Sequence, residues 1–369
     1  MKIASVILHE FKRFRDLSID LRNAATEEVA SQFLILGDNG VGKTTVLQAI
    51  ALCLSRISHK TRSVEDFDWL GWVPGRFQRW GRPRIELEVH FTDDEILATQ
   101  EAARRWYDSR RGQDGLPEFI EPPHSNVVKV GLDGDRYWTG APQEQYLFRG
   151  RTYAADLLRT DPSARELFPR LPGVFWFDQF RNLATPPGAR EIAHNDELAE
   201  EPTNRIAFGV GVKQLRTHLN GWKLARITRG PRPGPDFLLE LENLYKRIFP
   251  GRSFSDPEPM FRAGVPSPED YYFTISDGQR TYDIEEMSSG EQAVFPILYE
   301  FVRQQIKNSV VLIDEIDLNL HPPLAQSLVN LLPVLGPGCQ FIYTTHSEAV
   351  SSIVSPEQVR RLEGGRLCL

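Results

Sequence analysis

The sequence predicts an α/β protein built on a largely parallel sheet, and three observations carry that reading. Short apolar runs recur at Phe33–Leu36, Val174–Phe177, Val310–Ile313 and Gln340–Tyr343, the pattern of strands covered on both faces. Helical patterns separate them along the chain. Several of these runs pass directly into a glycine-rich or acidic turn, at the sheet edge where open α/β folds hold their ligands. The bulk composition agrees. The chain has 369 residues, 41% hydrophobic and 25% charged, which suits two or three domain-sized units and excludes a disordered or fibrous chain.

In chain order, Ile3–Leu8 and Leu17–Leu21 alternate as two short strands around the basic-aromatic bend Phe11–Arg15. The run Phe33–Leu36 enters a glycine turn, after which Val46, Leu47, Ile50, Cys53 and Leu54 mark one face of a helix. From 60 to about 170 the pattern is less regular. It holds the strand Arg84–Phe91, then acidic and arginine-rich helical stretches broken by Gly and Pro. The strand Val174–Phe177 ends in Asp178 and Gln179. Next comes a charge boundary: Glu191–Glu201 is acidic, whereas Thr203–Pro235 carries seven Lys or Arg and no acid. Phe237–Phe249 reads as an amphipathic helix, and Tyr271–Ile275 and Thr281–Ile284 as a hairpin around Ser276-Asp277-Gly278. A helix from Met287-Ser288-Ser289-Gly290-Glu291 to about Lys307 precedes the strand Val310–Ile313, a helix near Leu324–Leu332 and the last buried strand. Pro296 lacks an N–H and should kink the first of these helices.

Three widely spaced cysteines, Cys53, Cys339 and Cys368, exclude a disulfide framework and a four-cysteine zinc site, and they fit a reducing cytoplasm. No apolar run approaches the ~18–20 residues that span a bilayer, and His9, Glu10 and Lys12 interrupt the only apolar stretch at the N-terminus. No membrane association is expected. With a net charge of −7, any grip on nucleic acid must come from a local basic surface.

Two motifs carry chemistry. Gly37-Asp38-Asn39-Gly40-Val41-Gly42-Lys43-Thr44-Thr45 has the spacing G-x-x-x-x-G-K-[ST] between a strand and a helix. Glycines let consecutive N–H groups curl toward phosphate oxygens at the positive end of the helix. Asn39, Gly40 and Gly42 would shape that cradle. Lys43 would reach the β- and γ-phosphates, Thr44 the Mg²⁺ and Thr45 the α-phosphate. The chain is therefore expected to bind a nucleoside triphosphate with Mg²⁺. The second motif is the pair Asp314-Glu315 ending an aliphatic strand. Asp314 would join the metal shell, and Glu315 would place the attacking water for in-line displacement.

Together these residues resemble the ABC-type ATPases. Met287-Ser288-Ser289-Gly290-Glu291 is similar to their signature loop, usually Leu-Ser-Gly-Gly-Gln/Glu, with Met for Leu and Ser289 for the first Gly. The resemblance implies that Ser288, Ser289, Gly290 and Glu291 cap the γ-phosphate held by a second subunit, so that a homodimer encloses two ATP. A serine hydroxyl and free N–H groups at a helix start do form an anion site. Asp317 matches the D-loop aspartate and His346 the switch histidine. Gln179 matches the metal-binding glutamine of the Q-loop, with Gln214 as its competitor. The implied fold is an ABC ATPase head, a P-loop NTPase with a mixed sheet, a helical signature lobe and an insertion in the first lobe. Lobe I would cover 1–185 with the insertion at about 60–170, a helical basic arm 186–270, and lobe II 271–369.

The long gap between Lys43 and Asp314 and the stretch Asp314–Pro322 look like the RecF, SMC-like and OLD-family ATPases rather than transporter subunits. The opening Leu8–Phe14 is similar to their N-F-R-x-F start, with Glu10 in place of Asn. It marks Arg13 as a nucleotide-site candidate, the alternative being a solvated bend. Gly71–Arg84 carries Arg76, Arg79, Arg82 and Arg84 with Trp72, Phe77 and Trp80 and no acid, a mixture suited to phosphate contact and base stacking. In the later basic stretch Arg216 and Arg226 are further candidates. DNA and a separately encoded effector protein, such as a nuclease or toxin, both remain open as partners.

Overall fold

The computed structural model describes residues 1–23, 26–69, 71–79, 81–112, 118–179, 211–229, 235–260 and 270–363, the side chains of 211–214 and 228–229 excepted. Chain order begins with a hairpin of β1 (Lys2–Phe11) and β2 (Phe14–Asp20), then β3 (Gln32–Leu36) and helix α1 (Lys43–Ile57). β4 (Arg84–His90), α2 (Asp93–Ser109), β5 (Val127–Asp133), β6 (Arg136–Thr139), α3 (Gly150–Leu157) and β7 (Val174–Phe177) follow. Helices α4 (Gly211–Arg229) and α5 (Phe237–Ile248) lead into short strands β8 (Ser253–Phe254), β9 (Glu258–Pro259), β10 (Tyr271–Tyr272), β11 (Thr274–Ser276) and β12 (Thr281–Asp283). The chain closes with α6 (Ser289–Gln304), β13 (Val310–Ile313), α7 (Pro322–Leu335), β14 (Gln340–Thr345), α8 (Glu348–Ser351) and β15 (Val359–Arg361).

Among the described residues the strands form two small sheets, β12-β11-β8 and β10-β9, and two large ones. One runs β15-β3-β14-β13-β7 with every pair parallel. The other runs β2-β1-β4-β5-β6 with every pair antiparallel. Helix α1 lies between them, which is why 13 of its 15 residues are buried rather than the single face its sequence suggests. On the parallel strands Phe33, Ile35, Trp176, Leu312 and Ile342 join the α1 core. Their neighbours Leu34, Phe177, Val311, Ile313 and Tyr343 join a second core with α5, α6 and α7. Two-sided burial is the physical cause of the unbroken apolar runs, each such side chain contributing about 1.5–3 kcal/mol. Gln340 ties the sheets together: its side chain accepts from Ile3 N–H at 2.7 Å and donates to the carbonyls of Ile3 and Ala30 at 2.9 and 3.0 Å.

Strands β4, β5 and β6 come from within the 60–170 segment and complete the antiparallel sheet. Helices α2 and α3 pack through small residues, Ala98, Ala102 and Ala154, with Ala164 of the following segment in the same cluster. Pro296 is buried inside a continuous α6. The helix continues past it and ends at Gln305, left-handed at φ 50°. Among the described residues no helix is long and apolar enough to cross a membrane.

Candidate nucleotide site

The parallel strands β3, β13 and β14 stand side by side and point the same way, so the turns at their C-terminal ends share one edge. After β3, Gly40 and Gly42 adopt φ 80° and 104°, conformations that side chains resist. A Cβ on Gly42 would stand 2.6 Å from both Arg13 Cδ and the Phe14 ring. The basic-aromatic bend is thus pressed against the phosphate loop, which places Arg13 beside the cradle. Gly42 caps α1 without a side-chain hydrogen bond, and no acid stands in the first turn. The first-turn N–H groups of a helix lack intrahelical partners and can serve an anion there.

Lys43 is 4% exposed. Its Nζ donates to the carbonyls of Gly37 and Asp38 at 2.9 and 3.1 Å and lies 3.2 Å from Glu315 Oε1. Thr44 Oγ1 donates to the Asp314 carboxylate at 2.8 Å. This hydroxyl–carboxylate pair supplies hard oxygen donors, the chemistry Mg²⁺ selects. Gln179 lies two residues past Phe177, whose carbonyl accepts from Asp314 N–H at 2.8 Å. It therefore follows the strand directly beside that of the acids.

Successive strand residues face opposite ways, yet both acids serve this edge because Glu315 turns left-handed, φ 45°. For a non-glycine residue that conformation must be held by its surroundings. Thr344, which sequence reasoning did not single out, holds it. Its Oγ1 accepts from Glu315 N–H at 2.7 Å and donates to Asp314 Oδ1 at 2.7 Å, and its carbonyl accepts from Ile316 N–H at 2.9 Å. The signal was present in Thr344-Thr345 after a buried strand, since a buried hydroxyl needs a partner. Thr345 donates to Asp317 Oδ1 at 2.5 Å, and His346 Nδ1 stands 3.1 Å from Glu315 Oε2. Glu315, Asp317 and His346 offer ligand atoms within 4.8 Å of one another.

The signature segment starts α6. Ser288 and Ser289 are exposed, and among the described residues no hydrogen bond joins them to the phosphate loop of their own chain. Glu291 departs from expectation. It is 3% exposed, and its Oε2 accepts from Ser288 N–H and Oγ at 2.9 and 2.7 Å. Its Oε1 accepts from Tyr245 and Tyr282 hydroxyls at 2.6 and 2.7 Å. The carboxylate is committed to its own lobe and cannot reach a partner's phosphate. Burial pushes its pKa up, but hydrogen bonds from Tyr245, Tyr282 and Ser288 outweigh burial and hold it below the ordinary value. A depressed carboxyl pKa gives stability that is present above the unfolded value, about 4.3, and is lost as pH falls through the folded one. Glu291→Ala should cost about 3–5 kcal/mol at pH 7 by stranding the buried Tyr245 phenol and the half-buried Tyr282 one. Urea midpoints at pH 7 and pH 4 check this, and the gap between parent and variant should narrow at pH 4.

The proposed nucleic-acid residues do not form one surface. Arg216 is 9% exposed and bonds Asp283 through Nε at 3.2 Å and Glu285 at 3.2 Å. It is an internal ion pair, not a phosphate contact. Trp72 and Phe77 are buried in an aromatic cluster with Phe11 and Phe67, so neither offers a face to a base. Arg76 and Arg79 are exposed, Arg82 pairs with Asp133 at 2.5 Å and Arg226 with Asp236 at 3.2 Å. Trp80, the acidic stretch 191–201 and the Gln214 side chain lie outside the described residues.

A family model described as "AAA domain, putative AbiEii toxin, Type IV TA system" matches residues 33–352. The chain belongs to this AAA-domain family. Its motifs make it an ABC-type ATPase of the RecF and SMC-like branch. This AAA-domain protein is similar over 98% of its length, at 21% identity, to "Retron Vc95 probable ATPase" of Vibrio cholerae serotype O1 biovar El Tor, covering 73% of that chain. A 92-residue stretch is 33% identical to "Retron Ec83 probable ATPase" of Escherichia coli, over 17% of that protein. Among solved structures, an SMC head bound to the C-winged helix domain of ScpA aligns over 95% of this chain and 92% of the other, at TM-score 0.48 and 16% identity. The SMC head domain from Thermotoga maritima aligns at TM-score 0.41 and 14% identity, over 95% and 92% of the two chains.

Proposed function

We propose that the chain binds ATP with Mg²⁺ and hydrolyses it only as a head-to-tail homodimer. One observation carries this reading. The phosphate loop, metal pair and Glu315 gather at one edge, while the exposed Ser288 and Ser289 have no bond to that loop. A second copy would bring them to it. Thr44, Asp314 and Gln179 would hold the metal, which supplies charge neutralisation on the phosphates. Lys43, now bound to Gly37, Asp38 and Glu315, would exchange carbonyl oxygens for phosphate oxygens. Glu315 would orient the water and accept its proton. His346 would report on the γ-phosphate through its contact with Glu315, and Asp317 would sit beside the dimer seam. Arg13 would flank the nucleotide.

The output we infer is regulatory: the ATP-bound dimer would control a separately encoded effector in the cytoplasm. The similarity to proteins named for retrons, and the family's toxin–antitoxin description, support a defence setting. Direct work on DNA as a motor is the second reading. It loses support from the burial of Trp72, Phe77 and Arg216.

Subunit mixing tests the dimer. Lys43→Ala and Ser288→Arg should each be inactive alone. A 1:1 mixture should recover about a quarter of the parent rate, because half the randomly paired dimers are mixed and each holds one intact site. A mixture as inactive as its parts would overturn the shared site.

A further inference from the structure

Ser288 is exposed, yet its hydroxyl is already engaged. Its Oγ donates to Glu291 Oε2 at 2.7 Å and accepts from Glu291 N–H at 3.3 Å, while Ser288 N–H donates to the same Oε2 at 2.9 Å. The last two bonds form an ordinary capping box, in which each residue's side chain accepts from the other's amide. A second box in this chain shows that the first bond is an addition. At the start of α2, Glu95 N–H donates to Thr92 Oγ1 at 3.3 Å and Thr92 N–H to Glu95 Oε2 at 2.9 Å. No bond joins the Thr92 hydroxyl to the Glu95 carboxylate.

The far side of Glu291 is held as firmly. Its Oε1 accepts from the Tyr245 and Tyr282 hydroxyls at 2.6 and 2.7 Å and from Arg252 Nε at 3.3 Å. These donors stand on α5, on β12 and directly before β8. Burial, then the bond to Glu291, push both phenols up, so they stay protonated and keep donating. Glu291 itself is 3% exposed and has no room to turn elsewhere. An ionised carboxylate only accepts. With five donors on its two oxygens, every neighbouring proton points at Glu291, the Ser288 proton among them. Toward solvent the serine oxygen shows lone pairs, which repel a phosphate oxygen.

We infer that Glu291 is a positioning residue for the capping of ATP. It holds the Ser288 proton inward in the free chain, and closure on a second copy's γ-phosphate requires the hydroxyl to rotate from Oε2 to a phosphate oxygen. The inference rests on the shared site proposed above. The proton stays on Oγ throughout, and one charge-assisted bond is exchanged for another. A glutamine side chain at this position reverses the direction. Its oxygen still accepts from Tyr245, Tyr282 and Arg252, which sets its amide group beside Ser288 as a donor. The serine oxygen then accepts from that amide, and its own proton turns outward.

The experiment follows ATP-driven dimerisation of four chains by analytical ultracentrifugation in ATP–Mg²⁺. All carry Glu315→Gln, so that closed dimers are not lost to hydrolysis; one has no further change, and the others add Glu291→Gln, Ser288→Ala or both. Glu291→Gln should tighten the dimer by about tenfold, the scale of one charge-assisted bond. Ser288→Ala should weaken it, and adding Glu291→Gln should not rescue that loss, because the hydroxyl to be freed is gone. A purely structural role for Glu291 would move both backgrounds alike. Thermal melts establish that each chain is folded. Should Glu291→Gln unfold, Tyr282→Phe at its half-buried position carries the same test. It takes one donor from Oε1, tightens the carboxylate on Ser288 and should weaken the dimer by about threefold, only while Ser288 is present. An unchanged dimer constant in a folded Glu291→Gln, or the same gain without the Ser288 hydroxyl, would overturn the inference and leave the shared site standing. No ATP-driven dimer with Glu315→Gln alone would remove the shared site and this inference together.

Discussion

Glu315→Gln should leave ATP bound, slow hydrolysis by about 10²–10⁴-fold, and shift the chain to the dimer position on a sizing column in ATP–Mg²⁺. The amide keeps the size of the side chain and one acceptor oxygen, so the left-handed turn at φ 45° and its bond from Glu315 N–H to Thr344 Oγ1 survive. What disappears is the charge that orients water and takes its proton. A carboxylate also repels the γ-phosphate, and its neutral form lets the closed state persist. Turnover measured by phosphate release and occupancy measured by retained radiolabelled nucleotide separate the two effects. Full hydrolysis in the variant would remove Glu315 from the chemistry. Slow hydrolysis with a monomeric profile would keep the chemistry and sink the shared site.

Lys43→Ala should weaken ATP binding by about 10²–10⁴-fold, read by calorimetric titration with ATP–Mg²⁺. The ammonium is buried and already holds two carbonyls and Glu315 within 3.2 Å. Charge-assisted bonds of this kind contribute about 1.5–3 kcal/mol each, and two to phosphate account for the expected loss. The variant also leaves Glu315 without its nearest cation, so far-UV circular dichroism should confirm an intact fold before binding is compared. Tight binding by a folded Lys43→Ala would mean that the glycine turn is a turn and nothing more.

Much of this site can be read from adjacent residues. The cradle is one continuous loop, and glycine, lysine and threonine each perform there a task dictated by their own geometry. The two acids are legible for the same reason: an aliphatic strand announces its buried course and its end. Thr344 was harder to see, because its importance lies in a bond across two neighbouring strands to residues thirty positions earlier. The basic stretches misled for a related reason. Charge in a sequence carries no direction, and Arg216 turns inward to Asp283 while Trp72 joins the core.

Local residue chemistry was enough to establish an α/β nucleotide-binding chain with its phosphate loop, its paired acids and the beginning of its signature helix. Two matters were left to the packing. The placement of α1 between two sheets buries a helix whose sequence marks one apolar face. The capping box and tyrosine pair capture Glu291, which in isolation looks free to serve a partner. Each depends on distant stretches meeting in space, and burial and hydrogen bonding there decide what a side chain can still reach.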